Sequence, residues 1–297
     1  MKYKTKHIAI IIPTIDSKNL FKVLDSIEHQ SQKVGQIIVV QYKLKKNFKR
    51  KNCIFVVSKI KNQVYQRCLA KKYIKKNIKI ILQLDDNCFL KKNALEELIK
   101  SWNSSTSDVA GIGLNVENYQ PKNINFIKKF IDKKNMKPGQ VLKSGYVTAW
   151  GKNFFTHYPQ WLNGGSSSWR LDYNKNLFDR RFPKLSWCVC EDLIYSYNKY
   201  EKYKLKLSRN SKLKYLNKNT SFSFQEYFNK GLILSKVMKN FVIYNKNLSL
   251  FEFFKYTLTM SIFGLIFNII FLNYSYTGYS IGRIIGCFKK TYKFEIK

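Results

Sequence analysis

Asp85 and Asp86 stand side by side after the apolar run "IKIILQL", in a chain that carries 54 Lys and Arg against 18 Asp and Glu. Adjacent carboxylates disfavour each other's ionisation, so something must offset their charge, and a divalent cation is the usual candidate. A second acidic pair, Glu191–Asp192, heads the segment "CEDLIYSYNKY". Carboxylates at a helix start are favoured by the helix dipole, so capping alone would account for that pair; chemistry is the other reading. A third pair, Glu96–Glu97, falls mid-helix and reads as a solvated face partnering Lys91, Lys92 and Lys100. Between the first two pairs, "WLNGGSSSWR" sets Gly164 and Gly165 in a turn flanked by Trp and Arg.

The elements that must position these residues alternate in type. "HIAIII", "QIIVV", "CIFVV", "IKIILQL" and "DVAGIGL" read as strands. Helices are predicted over "NLFKVLDSIEHQ", capped by Asp16 or Ser17, over 63–76, and over "ALEELIKSW". Apolar strands without polar alternation, separated by helices, imply an α/β fold with a mostly parallel sheet covered on both faces. Ligands bind such sheets at the carboxyl ends of the strands, which is where Asp85 and Asp86 fall. Pro13, Thr14 and Ile15 follow the first strand, so no GxGxxG or P-loop pattern opens the chain. Residues 116–150 are polar and Lys-rich and read as an irregular excursion.

The net charge of +36 comes almost wholly from Lys. An AT-rich genome would give this composition without selection; attraction to phosphates is the functional reading. No clustered Arg face suits base reading, so a membrane surface is expected rather than nucleic acid. The six Cys include no CxxC pair and read as free thiols of a reducing compartment. The run Ile8–Ile12 is too short for a signal-peptide core, so the N-terminal part is expected in the cytoplasm.

In order and spacing, these pieces resemble the family 2 glycosyltransferases, inverting nucleotide-sugar transferases of the GT-A fold. The resemblance runs from about Ile8 to Tyr200. It is carried by "IAIIIPTID", "DSIEHQS" with "QIIVV", "QVYQRCLAKKYI", "LQLDDN", "LNGGSSSWR" and "FDRRF…CEDLIYSY". It implies a catalytic domain over 1–220, a Mn2+ or Mg2+ ion held by Asp85, Asp86 and Asn87, and a nucleotide-sugar donor. Donor contacts would come from Pro13, Thr14, Asp16, Gln41, Arg67, Asp85, Asp86, Gly164 and Gly165, with Arg67 near the diphosphate. Asp192 matches the family's catalytic base, with Glu191 orienting it or the acceptor. Trp161, Trp169 and Arg170 are acceptor-side candidates; filling the core is the alternative for the two Trp. The acceptor would be a saccharide or lipid-linked saccharide.

The sequence departs from the family at Gln41, where an acidic base-reading residue is usual, although a carboxamide oxygen still accepts from a uracil or thymine N–H. Cys68 replaces the Asn after Arg67, Asn87 replaces a frequent Asp, and Arg180 replaces the acid of FDE. A nucleotidyltransferase with a similar sheet, or a basic binder with a decayed site, are the alternatives.

Residues 221–297 change character. "YTLTMSIFGLIFNIIFL", 256–272, is near the lower length limit for a spanning helix. Gly278, Gly282 and Gly286 follow as a small-residue stripe suited to close helix packing. Lys-rich flanks on both sides oppose a single span, so helices over 249–290 are expected to lie on, or re-enter, the cytoplasmic face of a membrane; a true span, or a core helix packing on the catalytic domain, are the alternatives.

Overall fold

The computed structural model describes residues 2–15, 18–43, 50, 52–118, 137–148, 158–172, 190–216 and 222–291. The chain divides into two compact units, Met1–Gln120 with Asn153–Lys218, and Pro121–Lys152 with Asn219–Lys297. Residues 137–148 of the irregular excursion therefore belong with the C-terminal helices, not with the sheet.

The first unit is built on one sheet. Its strands are β1 (Ile8–Thr14), β2 (Gln36–Tyr42), β3 (Cys53–Ser58), β4 (Ile80–Leu84), β5 (Cys88–Leu90), β6 (Val109–Val116), β7 (Ser166–Arg170) and β8 (Lys204–Tyr215), in the order β3-β2-β1-β4-β7-β6-β8-β5. The β3-β2-β1-β4 half is parallel. β7 inserts antiparallel between β4 and β6, and β8 runs parallel to β6. All seven residues of β1 are buried, as both-face cover requires. One face buries Ile8, Ile10, Ile12, Ile80, Leu82 and Leu84 under α1 (Leu20–Glu28) and α3 (Ala94–Asn103). α2 (Gln63–Ala70) and α4 (Glu191–Tyr200) complete the described helices of this unit.

The five strands read from sequence are present, and β5, β7 and β8 add to them. The helix expected over 63–76 is α2 followed by one 3-10 turn, Lys71–Tyr73. α1 begins at Leu20 behind Asn19, whose side chain makes no capping bond; Asp16 and Ser17 lie outside the described residues. Lys100 pairs with Glu96 and Glu97 at 3.0 and 2.8 Å, as the i,i+4 and i,i+3 spacings imply, whereas Lys91 pairs with Glu117. The five described cysteines are free thiols.

Among its described residues the second unit holds three helices, α5 (Phe224–Ile243), α6 (Leu250–Ile270) and α7 (Tyr274–Phe288). A Ser223–Glu226 capping box starts α5, and Ser249 caps α6. The glycine stripe brings α7 onto α5. A Cβ at Gly282 would collide with Phe228 O, one at Gly278 would stand 2.5 Å from Phe224 O, and one at Gly286 would stand 2.6 Å from Leu232 O. Tyr146 stacks on Phe253 and Tyr256 of α6.

Candidate active site

The two aspartates that open the problem part company on leaving β4. Asp86 Oδ2 accepts from Thr14 Oγ1, at the end of β1, at 2.7 Å. Asp85 Oδ1 instead takes Arg67 Nη2 of α2 at 3.0 Å. Each carboxylate thus has its own donor, which eases the repulsion between neighbours. Asn87 Nδ2 donates to Leu216 O at 3.1 Å, which leaves its Oδ1 as the end that can serve a cation.

Arg67 reaches further. Its Nη1 lies 3.5 Å from Glu191 Oε1, and the side chain is 1% exposed against 31% for Asp85. The charge expected beside a diphosphate thus joins the first acidic pair to the second. Gln63 Nε2 also donates to Glu191 Oε1. Gln66 Nε2 donates to Thr14 O and Val40 O at 2.8 and 2.9 Å, tying the ends of β1 and β2 together. Gln63, Gln66 and Arg67 fall at i, i+3 and i+4, one helix face. That spacing was the available signal for the two glutamines, which the sequence reading missed.

The glycine pair lies between the two acidic pairs. Gly165 O accepts from the Asp85 amide at 3.1 Å, and the Gly164 amide donates to Asp192 Oδ2 at 3.0 Å. A Cβ at Gly165 would overlap the Asp85 carboxylate, and one at Gly164 would stand 2.8 Å from Asp192 Cβ and 3.3 Å from Arg67 Nη1. These positions admit no side chain because the carboxylates occupy the space one would take. Cys190, just before α4, has φ +60, a left-handed conformation unusual for a residue with a Cβ.

Electrostatics separates the second pair from ordinary caps. Burial, with the Asp192 charge adding to it, pushes Glu191 up to about 7, against the pull of Arg67. Burial also raises Asp192, opposed by the Gly164 and Leu193 amides and by Arg67. A carboxyl that titrates near neutrality inside an acidic cluster is a signature of functional sites.

Gln41, at the end of β2, is buried, and its Oε1 has no hydrogen-bond partner. Gln83, two residues before Asp85, is fully buried with both carboxamide ends unpartnered. Pro13 and Thr14 end β1 beside Val40 and Gln41.

The acceptor-side expectations are corrected in two of three cases. Trp169 is 2% exposed, packs edge-on against Tyr195, and donates to Ser167 Oγ; it fills core and cannot stack on a sugar. Arg170 pairs across the sheet with Ile80, the start of β4, about 13 Å along the strand from its carboxyl end at ~3.3 Å per residue. It donates to Thr106 O and lies over the Trp102 and Tyr3 rings. Antiparallel β7 carries its far end away from the acidic pairs. Trp161 is partly exposed. Asp16, Phe178, Asp179 and Arg180 lie outside the described residues.

No protein-family model matches the sequence, and no curated protein matches it significantly. Solved structures do. One is a crystal structure of GalNAc-T7 with UDP, GalNAc and Mn2+, at TM-score 0.52 and 11% identity over 78% of this chain and 50% of that one. Another is the mannosyltransferase PcManGT from Pyrobaculum calidifontis in complex with GDP-Man and Mn2+, at TM-score 0.52 and 8% identity over 95% of this chain and 85% of that one. The chain has the GT-A glycosyltransferase fold. It spans half the length of the GalNAc-T7 chain. In this GT-A sheet, the acidic pairs lie just beyond the carboxyl end of β4 and at the start of α4.

Among the described residues, no group of three or more His, Cys, Asp or Glu side chains is arranged to hold a metal ion. Asp85 and Asp86, with Asn87 Oδ1, match instead the sparse set that holds Mg2+ or Mn2+ together with substrate phosphates.

Proposed function

We propose that the chain transfers a sugar from a nucleoside-diphosphate donor, UDP- or dTDP-linked, to a hydroxyl of a saccharide or lipid-linked saccharide, with inversion. The observation that carries this reading is the convergence of both acidic pairs on Gly164–Gly165, with Arg67 bridging Asp85 to Glu191. The two GT-A structures named above, solved with nucleotides or nucleotide sugars and Mn2+, support it.

In this reading Asp86, Asp85 and Asn87 hold a Mn2+ or Mg2+ ion, which when bound neutralises charge developing on the departing diphosphate. The residues do the rest. Gln41 Oε1, buried and unpartnered, accepts from a nucleobase N–H. The glycine backbone lets the donor come close to both acidic pairs. Asp192 takes the acceptor hydroxyl proton. Each of its oxygens already accepts one backbone N–H, and a carboxylate has about four lone-pair sites, so capacity remains. Glu191, held by Gln63 and Arg67, positions Asp192. One base without a nucleophilic partner gives a single displacement.

The second unit supports a membrane-face location. On α6 the buried residues include Thr257 and Ser261, while Ile262, Phe263, Ile266, Phe267, Ile269 and Ile270 face outward. A soluble core helix buries its apolar side; this helix buries Phe253 and Tyr256 in its first two turns, and beyond Thr257 its only buried residue is Ser261, the large apolar side chains there facing outward. α6 is long and apolar enough to cross a membrane. However, α6 and α7 form a hairpin whose charged residues, Lys255 on α6, Arg283 on α7 and Lys289 and Lys290 just after it, stand away from its apolar turn, which supports re-entry from the cytoplasmic face.

Full-length protein incubated with UDP- and dTDP-sugars and Mn2+ tests the activity. Metal-dependent donor hydrolysis or transfer is expected. Absence of nucleotide binding would overturn the reading in favour of a decayed site.

A further inference from the structure

Arg283 is a buried charge that the active site does not use. It lies on α7 in the C-terminal unit and is 8% exposed. Its Nη2 donates to the Tyr146 hydroxyl at 3.0 Å, and its guanidinium lies 5.2 Å over the Tyr146 ring and 5.8 Å over that of Tyr279. Its Nε is buried with no hydrogen-bond partner. No Asp or Glu among the described residues pairs with it. A guanidinium keeps its proton in proteins, and a buried charge normally finds a counter-charge. Aromatic faces offset only part of that need. The Tyr146 hydroxyl accepts from Arg283 and also from Thr257 Oγ1 at 3.1 Å, so its own proton is left to give. Arg283 Nε and the Tyr146 proton are two neighbouring donors to which no acceptor among the described residues is matched.

The surroundings say what kind of acceptor fits. The described part of this unit carries ten Lys and Arg against two acids, Glu226 and Glu252. Glu226 is used in the Ser223 capping box and Glu252 pairs with Lys255. Among the described residues of this unit, no carboxylate is left to pair with Arg283. Between Lys255 and Arg283 the hairpin has no charged residue, and its turn exposes Phe271, Leu272 and Tyr274. Arg283 is the first charge after that apolar stretch. Lys239, by contrast, spends its ammonium on Cys287 O and Lys289 O. An apolar tip below a cationic level matches the acyl and phosphate layers of a bilayer.

We propose that Arg283 and Tyr146 form a binding site for the phosphate of an anionic phospholipid headgroup. This rests on the membrane reading above and adds to it one specific site, distinct from the diffuse attraction of surface lysines.

The test uses full-length protein and phosphatidylcholine vesicles with or without phosphatidylglycerol, at about 0.1 M and about 0.5 M salt. Diffuse lysine attraction is screened at the higher salt, whereas a buried contact is screened much less. Wild type is expected to keep roughly a tenfold preference for phosphatidylglycerol at high salt, and Arg283→Gln to lose most of it. Arg283→Lys is expected to lose it in part, because a point charge replaces the fork. A Lys289→Gln/Lys290→Gln double variant is expected to retain it. If Arg283→Gln keeps the preference, the site is wrong. If wild type binds plain phosphatidylcholine vesicles but shows no such preference, the site fails while the membrane reading stands; binding to neither vesicle overturns both. Should the Arg283 variants misfold, native mass spectrometry of wild type in detergent decides. A retained phosphatidylglycerol in preference to phosphatidylcholine supports the site; no retention, or displacement by inorganic phosphate at equal concentration, overturns it.

Discussion

Gly165 and Asp85 are locked to each other in two ways: the glycine carbonyl accepts the aspartate amide at 3.1 Å, and the aspartate carboxylate fills the space where a glycine side chain would stand. Gly165→Ala must therefore turn the Asp85 carboxylate away and break its bond to Arg67. Expected is a drop of about 10–100-fold in affinity for UDP with Mn2+, the scale of one lost charge-assisted bond at 1.5–3 kcal/mol. Calorimetry with UDP and Mn2+ reads it; unchanged affinity would separate Gly165 from the donor site.

Asp86→Ala removes the carboxylate that Thr14 orients. Metal-dependent nucleotide binding is expected to vanish while metal-independent folding persists. Titration of UDP with and without Mn2+ checks this, and a variant that still gains affinity from Mn2+ would refute the metal role.

Asp192→Asn keeps the shape of the carboxylate but cannot take a proton. Donor binding should remain, and turnover should fall by roughly 10²–10⁴-fold, the range for losing a general base. A variant that loses donor binding instead would move Asp192 from base to donor contact.

The acidic pairs and the strands that carry them were legible because they follow local rules. β1, β2 and β4 announce themselves as unbroken apolar runs, and Asp85–Asp86 sits where such a strand must end. What was not legible depends on partners distant in sequence. Nothing local to Arg67 shows that the fold sets it between Asp85 and Glu191. Trp169 and Arg170 read as part of a binding loop because nothing local reveals that "SSSWR" is an antiparallel strand leading away from the site. β8 was legible and passed over: Lys204, Leu205, Lys206 and Leu207 alternate in the period of a half-buried strand, and the two leucines are buried.

The pH dependence follows from Glu191. Its pKa is pushed up to about 7 in the folded state, so below that pH the coupled pair holds an extra proton and catalysis should decline as pH falls through neutrality. Stability runs the other way. Between the ordinary Glu value of about 4.5 and about 7, the folded state binds more protons than the unfolded one, so stability falls as pH rises through that window. Glu191→Gln has no such proton to lose. Its Tm should change less than that of wild type between pH 5 and 8, by several degrees. Parallel Tm profiles for the two proteins would show that Glu191 is ionised throughout.

The membrane reading stands on which side chains α6 turns outward. Phe267 and Ile270 are 59% and 67% exposed, so neither supports the packing of the helices. Replacing both with Asp should leave the far-ultraviolet circular dichroism unchanged. Moving each apolar side chain from water into lipid contributes about 1.5–3 kcal/mol, and a carboxylate there opposes insertion, so vesicle binding should fall by at least about 100-fold. This probe is cleaner than truncation before Ser249, which would strip α7 from the close-packed face of α5 that carries Phe228, Leu232 and Ser235. If the Phe267→Asp/Ile270→Asp protein still binds vesicles as wild type does, the outward apolar face is not what meets the bilayer. If wild type stays in the supernatant beside vesicles of any composition, that face meets another protein surface instead.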